Sequence, residues 1–491
     1  MKINTKNKLE STTNKEGGLA YELTPKERLY QRVLTCFFGE KKFYGNEDNN
    51  IISDLKLVAK EDPEYILKLA SYARNEMYLR TIPQVLLVEC AQLPEFKGTG
   101  LIGKYTNQIV QRADELTEIL AYQLDKYKKP IPNSLLRGLS KAIHKFDEYQ
   151  LSKYKGSKNK VKLKDVIKLI HPKPKNDTES KLYRDIMNDQ VKPPQTWEHE
   201  LMTKGASKET WDGIVPKMGY MALLRNLRNL VKHNANLEPV LTKIRDPDQV
   251  KKSKQYPFRF YSAYKELERS DANTTEVLDT INDALELSTV NLPQIKGTSF
   301  MSSDLSGSME SRLSERSVIS YMDIACVMQA IAFKISDDKV YTSAFGESFA
   351  KISLSNRNSI LVNTDIIKNM RVGHSTNGYK VIQHLNEKKL MVDRVMLFTD
   401  MQMYDSDEYD YWGSDTRHSV KDEWTDYKKI NPNAKLYIFD LSGYGTIVVP
   451  PHDPNVALIS GWSEKILEFV ELFETDRLSM LDKISNYQGP K

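Results

Sequence analysis

The spacing of apolar residues predicts helices over most of the first 290 residues. Ile66, Ala70 and Ala73 recur at helical spacing and form one apolar stripe. Asp62 followed by Pro63 precedes this stripe, in the order that caps a helix start. Further helices are predicted over 83–91, 104–127, 132–149, 164–171, 196–203, 215–232, 237–244, 262–269 and 274–287. Such a succession of modest helices predicts an α-helical, HEAT-like array.

A second helix start is marked by a capping box. Thr24 stands three residues before Glu27, and Pro25 occupies the first helical position between them. The Thr hydroxyl and the Glu carboxylate can then each accept a hydrogen bond from a backbone N–H of the first turn. The helical part therefore begins near residue 24, after a polar segment that we expect to be a loose lead-in.

After Pro293 the pattern changes to short β-branched and aromatic runs that alternate with helical stretches. Strands are predicted over 298–303, 339–345, 394–399, 434–441 and 456–459, with 349–354 as a hairpin partner, and helices over 317–336 and from 463. This alternation indicates a doubly wound, mostly parallel sheet of the Rossmann-like class. We therefore predict three segments: a flexible lead-in over 1–18, the helical array over 19–292 and an α/β domain over 293–491.

The composition is that of an ordinary soluble protein of several domains. The chain has 491 residues, of which 40% are hydrophobic and 28% charged. No run of 18 apolar residues occurs and the N-terminus is polar, so neither membrane insertion nor export is expected. The odd set Cys36, Cys90 and Cys326 lies in apolar contexts and favours reduced core cysteines in a cytoplasmic protein.

The net charge of +5 conceals an asymmetry along the chain. Residues 1–300 carry 50 Lys and Arg against 39 Asp and Glu, whereas residues 301–491 carry 21 against 27. A basic part followed by an acidic part favours different partners for the two. We expect a polyanion for the first and a cation or basic surface for the second.

A metal-site pattern lies where the second part begins. Asp304, Ser306 and Ser308 occupy alternate positions on a predicted strand-to-helix turn. Hard oxygen ligands of this kind suit Mg2+, although Asp and Ser also fill such turns simply to cap a helix. Two downstream residues favour the metal interpretation: Thr376 in a polar loop, and Asp400 at the end of an apolar strand, where open α/β sheets place ligand groups.

These five residues together resemble the metal-ion-dependent adhesion site of von Willebrand factor A domains. The resemblance implies a divalent cation, with Mg2+ preferred, held by Asp304, Ser306, Ser308, Thr376 and Asp400. The chain departs from the usual pattern before the Thr, where it has His374 and Ser375 instead of glycines. No nucleophile with an adjacent base is visible, so the hydroxyls are interpreted as ligands and no catalytic residue is assigned.

A basic row is predicted on the helix over 164–171. Leu163, Ile167 and Ile170 define its buried face. Lys164, Lys168 and His171 recur at spacings of four and three on another face, where they can follow a phosphate backbone. The alternative is a solvated lysine-rich surface, since nine lysines lie between residues 151 and 175.

A second basic row is predicted on the helix over 215–232. Arg225, Arg228 and Lys232 stand opposite a leucine face, and either RNA contact or ion pairing with neighbouring helices explains them equally well. Nearby aromatic residues can stack on unpaired bases, although aromatic residues at helix-packing positions more often belong to the core. They are Tyr154, Tyr220, Tyr256, Phe258 and Phe260.

Several segments across the chain resemble the TROVE-domain family, the Ro ribonucleoprotein autoantigen and its bacterial relatives. They are 17–21 (GGLAY), 69–80 (LASYARNEMYLR), 171–174 (HPKP), 196–198 (TWE), 219–228 (GYMALLRNLR) and 256–258 (YPF). The resemblance, which is greatest to the bacterial form, implies a ring of helical repeats that carries an A-type domain. It also implies binding of small non-coding Y RNAs and of structured or misfolded RNAs with single-stranded 3′ ends. The helix over 164–171 resembles the one that contacts Y RNA, and the histidine of that helix falls on His171.

We therefore predict a monomeric, non-enzymatic RNA-binding component of a ribonucleoprotein. Whether an exoribonuclease or other protein joins it stays open. The alternative is a protein-interaction scaffold whose A-type domain binds an acidic partner residue through Mg2+. A metal-dependent phosphohydrolase is the least favoured interpretation, because the sequence shows neither a base nor a second metal site.

Overall fold

The chain packs as two compact units in a computed structural model. The first unit comprises Met1–Gly39 and Gly219–Met480, and the second comprises Glu40–Met218 and Leu481–Lys491. The structure describes residues 11–13, 19–35, 49–128, 130–154, 160–192, 194, 196–270, 274–313, 317–403, 418–443, 446–450, 453–460, 467, 470–471, 473–474 and 480–490. Each unit is internally packed. The predicted segments 1–18, 19–292 and 293–491 stay predictions.

Helices dominate the described residues before Leu292. They are α1 (Pro25–Thr35), α2 (Asn49–Glu61), α3 (Pro63–Asn75), α4 (Thr81–Gln92), α5 (Leu101–Ile109), α6 (Ala113–Lys126), α7 (Asn133–Ala142), α8 (Glu148–Ser152), α9 (Leu163–Ile170), α10 (Asp177–Met187), α11 (Trp197–Lys204), α12 (Lys208–Ile214), α13 (Tyr220–Lys232), α14 (Glu238–Ile244), α15 (Pro247–Ser253), α16 (Pro257–Glu268) and α17 (Thr275–Ser288). The predicted helical array is confirmed. Helices α2 to α12 belong to the second unit, and α1 and α13 to α17 to the first.

Both predicted helix starts are confirmed. At α1, the Thr24 N–H donates to Glu27 Oε2 at 2.7 Å, and the Glu27 N–H donates to Thr24 Oγ1 at 3.3 Å. At α3, the Tyr65 N–H donates to Asp62 Oδ1 at 3.2 Å, with Pro63 at the first helical position. Each start satisfies N–H groups that no intrahelical carbonyl can reach.

Removing the α3 cap is expected to destabilise the protein modestly. In Asp62→Ala, the Tyr65 N–H loses its acceptor, and the free energy of unfolding should fall by about 1 kcal/mol. Urea denaturation followed by circular dichroism measures the change. The matched control is Glu61→Ala, which removes a neighbouring exposed carboxylate. An equal loss in the two variants would contradict a capping role.

The prediction of one helix over 104–127 is wrong, because the chain breaks between α5 and α6. Val110 and Arg112 adopt extended backbone angles there. The Glu115 carboxylate accepts from the N–H groups of Gln111 and Arg112, at 2.6 and 3.0 Å. These bonds start a new helix, and the apolar spacing continues across the break.

The prediction of one helix over 132–149 is wrong for the same reason. The Gln150 N–H donates to Asp147 Oδ1 at 2.7 Å, and so α8 begins afresh after α7. Four helices of the array were not predicted at all, namely α2, α10, α12 and α15. Two of them, α12 and α15, have only seven residues, too few for a clear apolar period.

The chain after Pro293 forms a six-stranded sheet, which belongs to the first unit. Its strands are β3 (Ser299–Asp304), β4 (Val340–Phe345), β5 (Phe349–Ile352), β6 (Arg394–Thr399), β7 (Lys435–Asp440) and β9 (Val456–Ser460), in the order β5-β4-β3-β6-β7-β9. Only the edge strand β5 is antiparallel, as the hairpin partner of β4. All six predicted strands are confirmed, with ends shifted by one or two residues.

Helices cover both faces of this sheet, as the doubly wound prediction requires. They are α18 (Tyr321–Lys334), α19 (Ile360–Lys368), α20 (Tyr379–Lys388) and α21 (Val420–Ile430). Phe300 packs with residues of α20 and α21 in one apolar core. Ser303, on the opposite face of β3, donates to the Ala325 carbonyl of α18 at 3.0 Å. The carboxyl ends of the parallel strands thus lie at one edge of a sheet that is buried on both faces.

A second, small sheet was not predicted. It joins β1 (Ser11–Thr13), β2 (Leu19–Glu22) and β8 (Thr446–Ile447) in antiparallel order. β1 lies inside the segment that we expected to be a loose lead-in. β2 pairs in turn with β8, where Glu22 lies opposite Thr446, so the sheet joins segments far apart in the chain and local sequence gives little sign of it.

The sequence also predicts a solvated loop over the acidic stretch 405–415, which lies outside the described residues. Most of the C-terminal helix predicted from 463 lies outside them as well. A last short helix, α22 (Met480–Ser485), is described. Within the described ranges, no helix combines the length and apolar character needed to cross a lipid bilayer.

Candidate metal centre and nucleic-acid interface

The DxSxS turn folds tightly around its own carboxylate. Asp304 ends β3, and its Oδ1 accepts a hydrogen bond from the Ser306 N–H at 2.9 Å. The hydroxyls of Ser306 and Ser308 lie 3.3 Å apart, so the turn brings them together. Asp304 and Ser306 are fully buried, whereas Ser308 is half-buried.

The second carboxylate comes from the neighbouring parallel strand. Asp400 follows β6 directly, β6 pairs with β3, and the Asp400 side chain is buried. Burial and the nearby negative charge of Asp400 raise the pKa of Asp304 to about 7. Two carboxylates are therefore held out of water and close enough to repel each other.

The loop that carries Thr376 lies beside the DxSxS turn. The Gly307 N–H donates to the His374 carbonyl at 2.9 Å. Thr376 follows two residues later and is buried. His374 and Ser375 therefore do not keep this loop away from the turn. The same loop also lies close to the end of β4, where a Cβ on Gly346 would come within 2.7 Å of the Gly373 carbonyl oxygen.

Three further polar groups at this edge were not predicted. The Thr399 hydroxyl donates to Asp304 Oδ2 at 2.7 Å, and the Gln402 N–H donates to Asp400 Oδ1 at 3.1 Å. The Ser442 hydroxyl donates to the Asp400 carbonyl at 2.8 Å. Thr399 was detectable in the sequence, because it directly precedes the aspartate that ends the β6 run.

The donor set fits a hard cation. Two carboxylates and three hydroxyls supply only oxygen, which Mg2+ prefers, and a cation would offset the repulsion between the buried carboxylates. Among the described residues, no cluster of three or more His, Cys, Asp or Glu side chains is placed to hold a metal.

The first basic row lies on α9, in the second unit. Its apolar face, formed by Leu163, Val166, Ile167 and Ile170, is buried against neighbouring helices. Lys164 is half-exposed, and Lys168 and His171 are exposed. The predicted helix end at 171 is one residue too long, because His171 is the C-cap with a left-handed φ of 44°.

The second basic row lies on α13, in the first unit. Leu223, Leu227 and Leu230 are buried as predicted, and Arg225, Arg228 and Lys232 are exposed. Arg228 Nη1 lies 3.7 Å from a carboxylate oxygen of Glu266, so this guanidinium already has one acidic neighbour. That contact supports the ion-pairing alternative at Arg228, and RNA contact by the row stays a prediction.

Most of the candidate stacking aromatics belong to the core. Tyr220, Phe258 and Phe260 are buried, in line with the alternative that aromatic residues at packing positions serve the core. Tyr154 and Tyr256 are half-exposed. Tyr154 accepts a hydrogen bond from Arg112 Nη2 at 2.8 Å and lies beside a surface cavity of the second unit.

Comparison with known families assigns both parts of the chain. The TROVE domain model matches residues 16–193 and 187–340. The chain belongs to the TROVE-domain family. A second model, the Ro60 vWA domain, matches residues 299–474, which include the DxSxS turn, Thr376 and Asp400. The family resemblance and the α plus α/β fold class inferred from the sequence are thus confirmed.

Two relatives that match part of this chain are much longer proteins than it is. Telomerase protein component 1 of Rattus norvegicus is 25% identical over 303 residues, which cover 44% of this chain and 11% of that protein. The Mus musculus protein is 23% identical over 311 residues, 45% of this chain and 12% of that protein. The chain thus spans about a ninth of the length of these relatives.

A solved structure shares the fold over most of the chain. The crystal structure of the Deinococcus radiodurans RO (RSR) protein superposes with a TM-score of 0.65 at 14% identity. The match covers 86% of this chain and 93% of that one. At this identity the likeness establishes the fold.

Proposed function

We propose that this TROVE-family chain is a Ro-type RNA-binding protein and a component of a ribonucleoprotein. Its ligands would be small non-coding Y RNAs and structured or misfolded RNAs with single-stranded 3′ ends. The observation that carries the proposal is α9, which buries a complete apolar face and presents Lys164, Lys168 and His171 outward. A helix held in this way offers cationic groups at fixed positions along a phosphate backbone.

The charge distribution supports the same proposal. The basic excess lies in residues 1–300, which contain both basic rows, and the acidic excess lies in the part with the metal-site pattern. Among the ion pairs of the described residues, none involves Lys164 or Lys168, so their charges are available to phosphates.

RNA affinity is expected to fall steeply as the salt concentration rises. Each phosphate contact contributes about 0.7 to the slope of log affinity against log salt for single strands. The two α9 lysines alone would thus give a slope of about −1.4. Filter binding of a Y-like RNA and of an unrelated RNA, over a salt series, measures the slope. An affinity independent of salt would contradict a phosphate-binding surface.

We propose that the A-type domain holds one Mg2+ or similar cation. The ligand groups would be Asp304, Ser306, Ser308, Thr376 and Asp400, and the cation would leave a position open for an outside oxygen ligand. The buried carboxylate pair supports this assignment. It also favours a second candidate function, that of a scaffold which binds an acidic residue of a protein partner.

Pull-down experiments separate the two functions. Partners that are lost after nuclease treatment favour the RNA function, whereas partners that are lost after chelation of divalent cations favour the scaffold. An exoribonuclease is one of the proposed partners. The same two treatments show whether it binds through RNA or through the metal site.

We propose a non-enzymatic role and a cytoplasmic location. The hydroxyls at the DxSxS turn lie among carboxylates and backbone N–H groups. This environment suits metal ligands and not catalytic nucleophiles. Cys90 and Cys326 are free and buried, as reduced cysteines of a cytoplasmic protein would be, whereas Cys36 lies outside the described residues. Turnover of phosphoesters that is abolished by Asp304→Ala would contradict the non-enzymatic role.

A further inference from the structure

The turn after β7 repeats the first four residues of the metal-site pattern. Residues 440–443 read DLSG, as residues 304–307 do. Both turns follow parallel strands of one sheet, in which β6 lies between β3 and β7. In each turn the aspartate Oδ1 accepts from the N–H of the serine two residues later, at 2.9 Å in the first and 3.0 Å in the second. The second turn is thus built like the first, but none of its residues belongs to the proposed ligand set.

The serine of this second turn contacts a proposed metal ligand through the backbone. The pairing of β6 with β7 ends at Thr399, whose carbonyl accepts from the Leu441 N–H at 3.0 Å. The next carbonyl, that of Asp400, accepts from the Ser442 hydroxyl at 2.8 Å. This hydroxyl therefore extends the anchoring of β6 by one residue, to the residue whose carboxylate would hold the cation.

The chain turns sharply directly after this ligand. Met401 has a φ of 67°, in the left-handed region that residues other than glycine rarely adopt. Such a conformation persists only where the surrounding contacts hold it. Met401 is fully buried, and its N–H donates to Thr399 Oγ1 at 3.1 Å. The Ser442 hydroxyl holds the carbonyl of the same peptide group, so the two contacts fix this peptide from both sides.

The position of Ser442 is itself fixed by a buried carboxylate. Asp440 is fully buried, and its Oδ1 accepts from the N–H groups of Ser442 and Gly443 at 3.0 and 3.1 Å. The Ser442 hydroxyl lies 3.2 Å from the same Oδ1 and 2.8 Å from the Asp400 carbonyl oxygen, so the shorter contact takes its single proton. On the other side β7 pairs with β9, against which α1 packs. The turn is therefore held before any cation arrives.

We propose that Ser442 is a positioning residue for the cation of the A-type domain. Its hydroxyl fixes the backbone of Asp400, so that the Asp400 carboxylate meets the cation in the geometry that Mg2+ requires. The proposal rests on the metal site proposed above and adds a residue outside its ligand set. Groups that support metal ligands from behind typically change the metal affinity 10–100-fold.

The test measures binding of Mg2+ and of Ca2+ to the full-length chain by titration calorimetry. In Ser442→Ala the Mg2+ affinity should fall about tenfold or more. The Ca2+ affinity should fall much less, because Ca2+ accepts a flexible coordination geometry whereas Mg2+ demands a near-ideal octahedron. The ratio of the two affinities should thus shift toward Ca2+. A merely structural role of Ser442 would lower both affinities alike.

Two further variants serve as controls. Ser442→Thr keeps the hydroxyl and should keep the Mg2+ affinity. Ser336 is a buried serine of the same unit, and its hydroxyl donates to the Ala332 carbonyl at 2.7 Å. It lies before β4, at the edge of the sheet away from the metal site. Ser336→Ala removes an equivalent hydrogen bond and should leave the affinity for both cations unchanged.

The outcomes distinguish this role from the metal site itself. If the unsubstituted protein binds no Mg2+, the metal site is overturned and the role of Ser442 with it. If the unsubstituted protein and Ser442→Ala bind Mg2+ equally well, the positioning role alone is overturned. Equal losses of Mg2+ and Ca2+ affinity in Ser442→Ala, or an equal loss of Mg2+ affinity in Ser336→Ala or in Ser442→Thr, would also overturn it.

Discussion

The triple substitution of Lys164, Lys168 and His171 by alanine is expected to weaken RNA binding at least tenfold at physiological salt. Two phosphate contacts contribute about 1.4 to 1.8 to the slope of log affinity against log salt. At ~0.15 M salt this contribution corresponds to about a tenfold to thirtyfold gain in RNA affinity. His171 adds a hydrogen-bond donor at the end of the same row. The slope itself should therefore become shallower by about 1.4 or more. Filter binding over a salt series measures both quantities.

The control for this variant removes the same charge elsewhere. Lys251 and Lys252 are exposed lysines in the last turn of α15, in the first unit. The double variant Lys251→Ala, Lys252→Ala is compared with Lys164→Ala, Lys168→Ala. We expect only the α9 pair to change the slope. Equal losses from both pairs would mean that total charge, and not the α9 surface, determines affinity.

Asp304→Asn is expected to abolish binding of Mg2+ to the A-type domain. The variant keeps the size of the side chain but removes one of two anionic ligands from a buried site. A ligand at a hundred times its dissociation constant stabilises a protein by about 2.7 kcal/mol. That gain should be present in the unsubstituted protein and absent from the variant. Thermal unfolding with and without Mg2+, together with titration calorimetry, measures the difference.

Without the metal, Asp304→Asn should be more stable than the unsubstituted protein. Burial raises the pKa of Asp304, and the nearby negative charge of Asp400 raises it further. Removing one charge should therefore stabilise the metal-free protein, by an amount on the order of 1–3 kcal/mol. The matched control is Asp365→Asn, an exposed aspartate on α19, which should change neither quantity. Equal stabilisation of Asp304→Asn and the unsubstituted protein by Mg2+ would contradict the site.

The predictable parts of the fold are those that neighbouring residues encode. The caps at Thr24 and Asp62 follow from side chains that reach backbone groups three residues away. The strands β6 and β7 are buried runs with β-branched and aromatic residues, and such runs can be recognised in the sequence. The break between α5 and α6 was not predicted, because apolar periodicity continues across it. The start of α6 depends on the Glu115 carboxylate, which accepts from the N–H groups of Gln111 and Arg112.

The candidate metal centre was predictable as a set of residues but not as a geometry. Asp304, Thr376 and Asp400 could be named in advance because each follows or interrupts a recognisable pattern. The Thr399 hydroxyl on Asp304, the Ser442 hydroxyl on the Asp400 carbonyl and the close approach at Gly346 all join residues that are far apart in the chain. Their sequence separation hides them, since only the packing of the sheet strands and the loops that follow them brings these residues together.

The sequence by itself determined the family, the order of a helical array and an α/β domain, and the residues that carry the candidate chemistry. These depend on local spacing, and local spacing is written directly in the chain. Only the tertiary structure decided that β2 pairs with β8, that the carboxylates of Asp304 and Asp400 repel each other in a buried site, and that the Ser442 hydroxyl reaches the Asp400 carbonyl. Those features arise where distant segments pack, and packing depends on shape and burial across the whole unit.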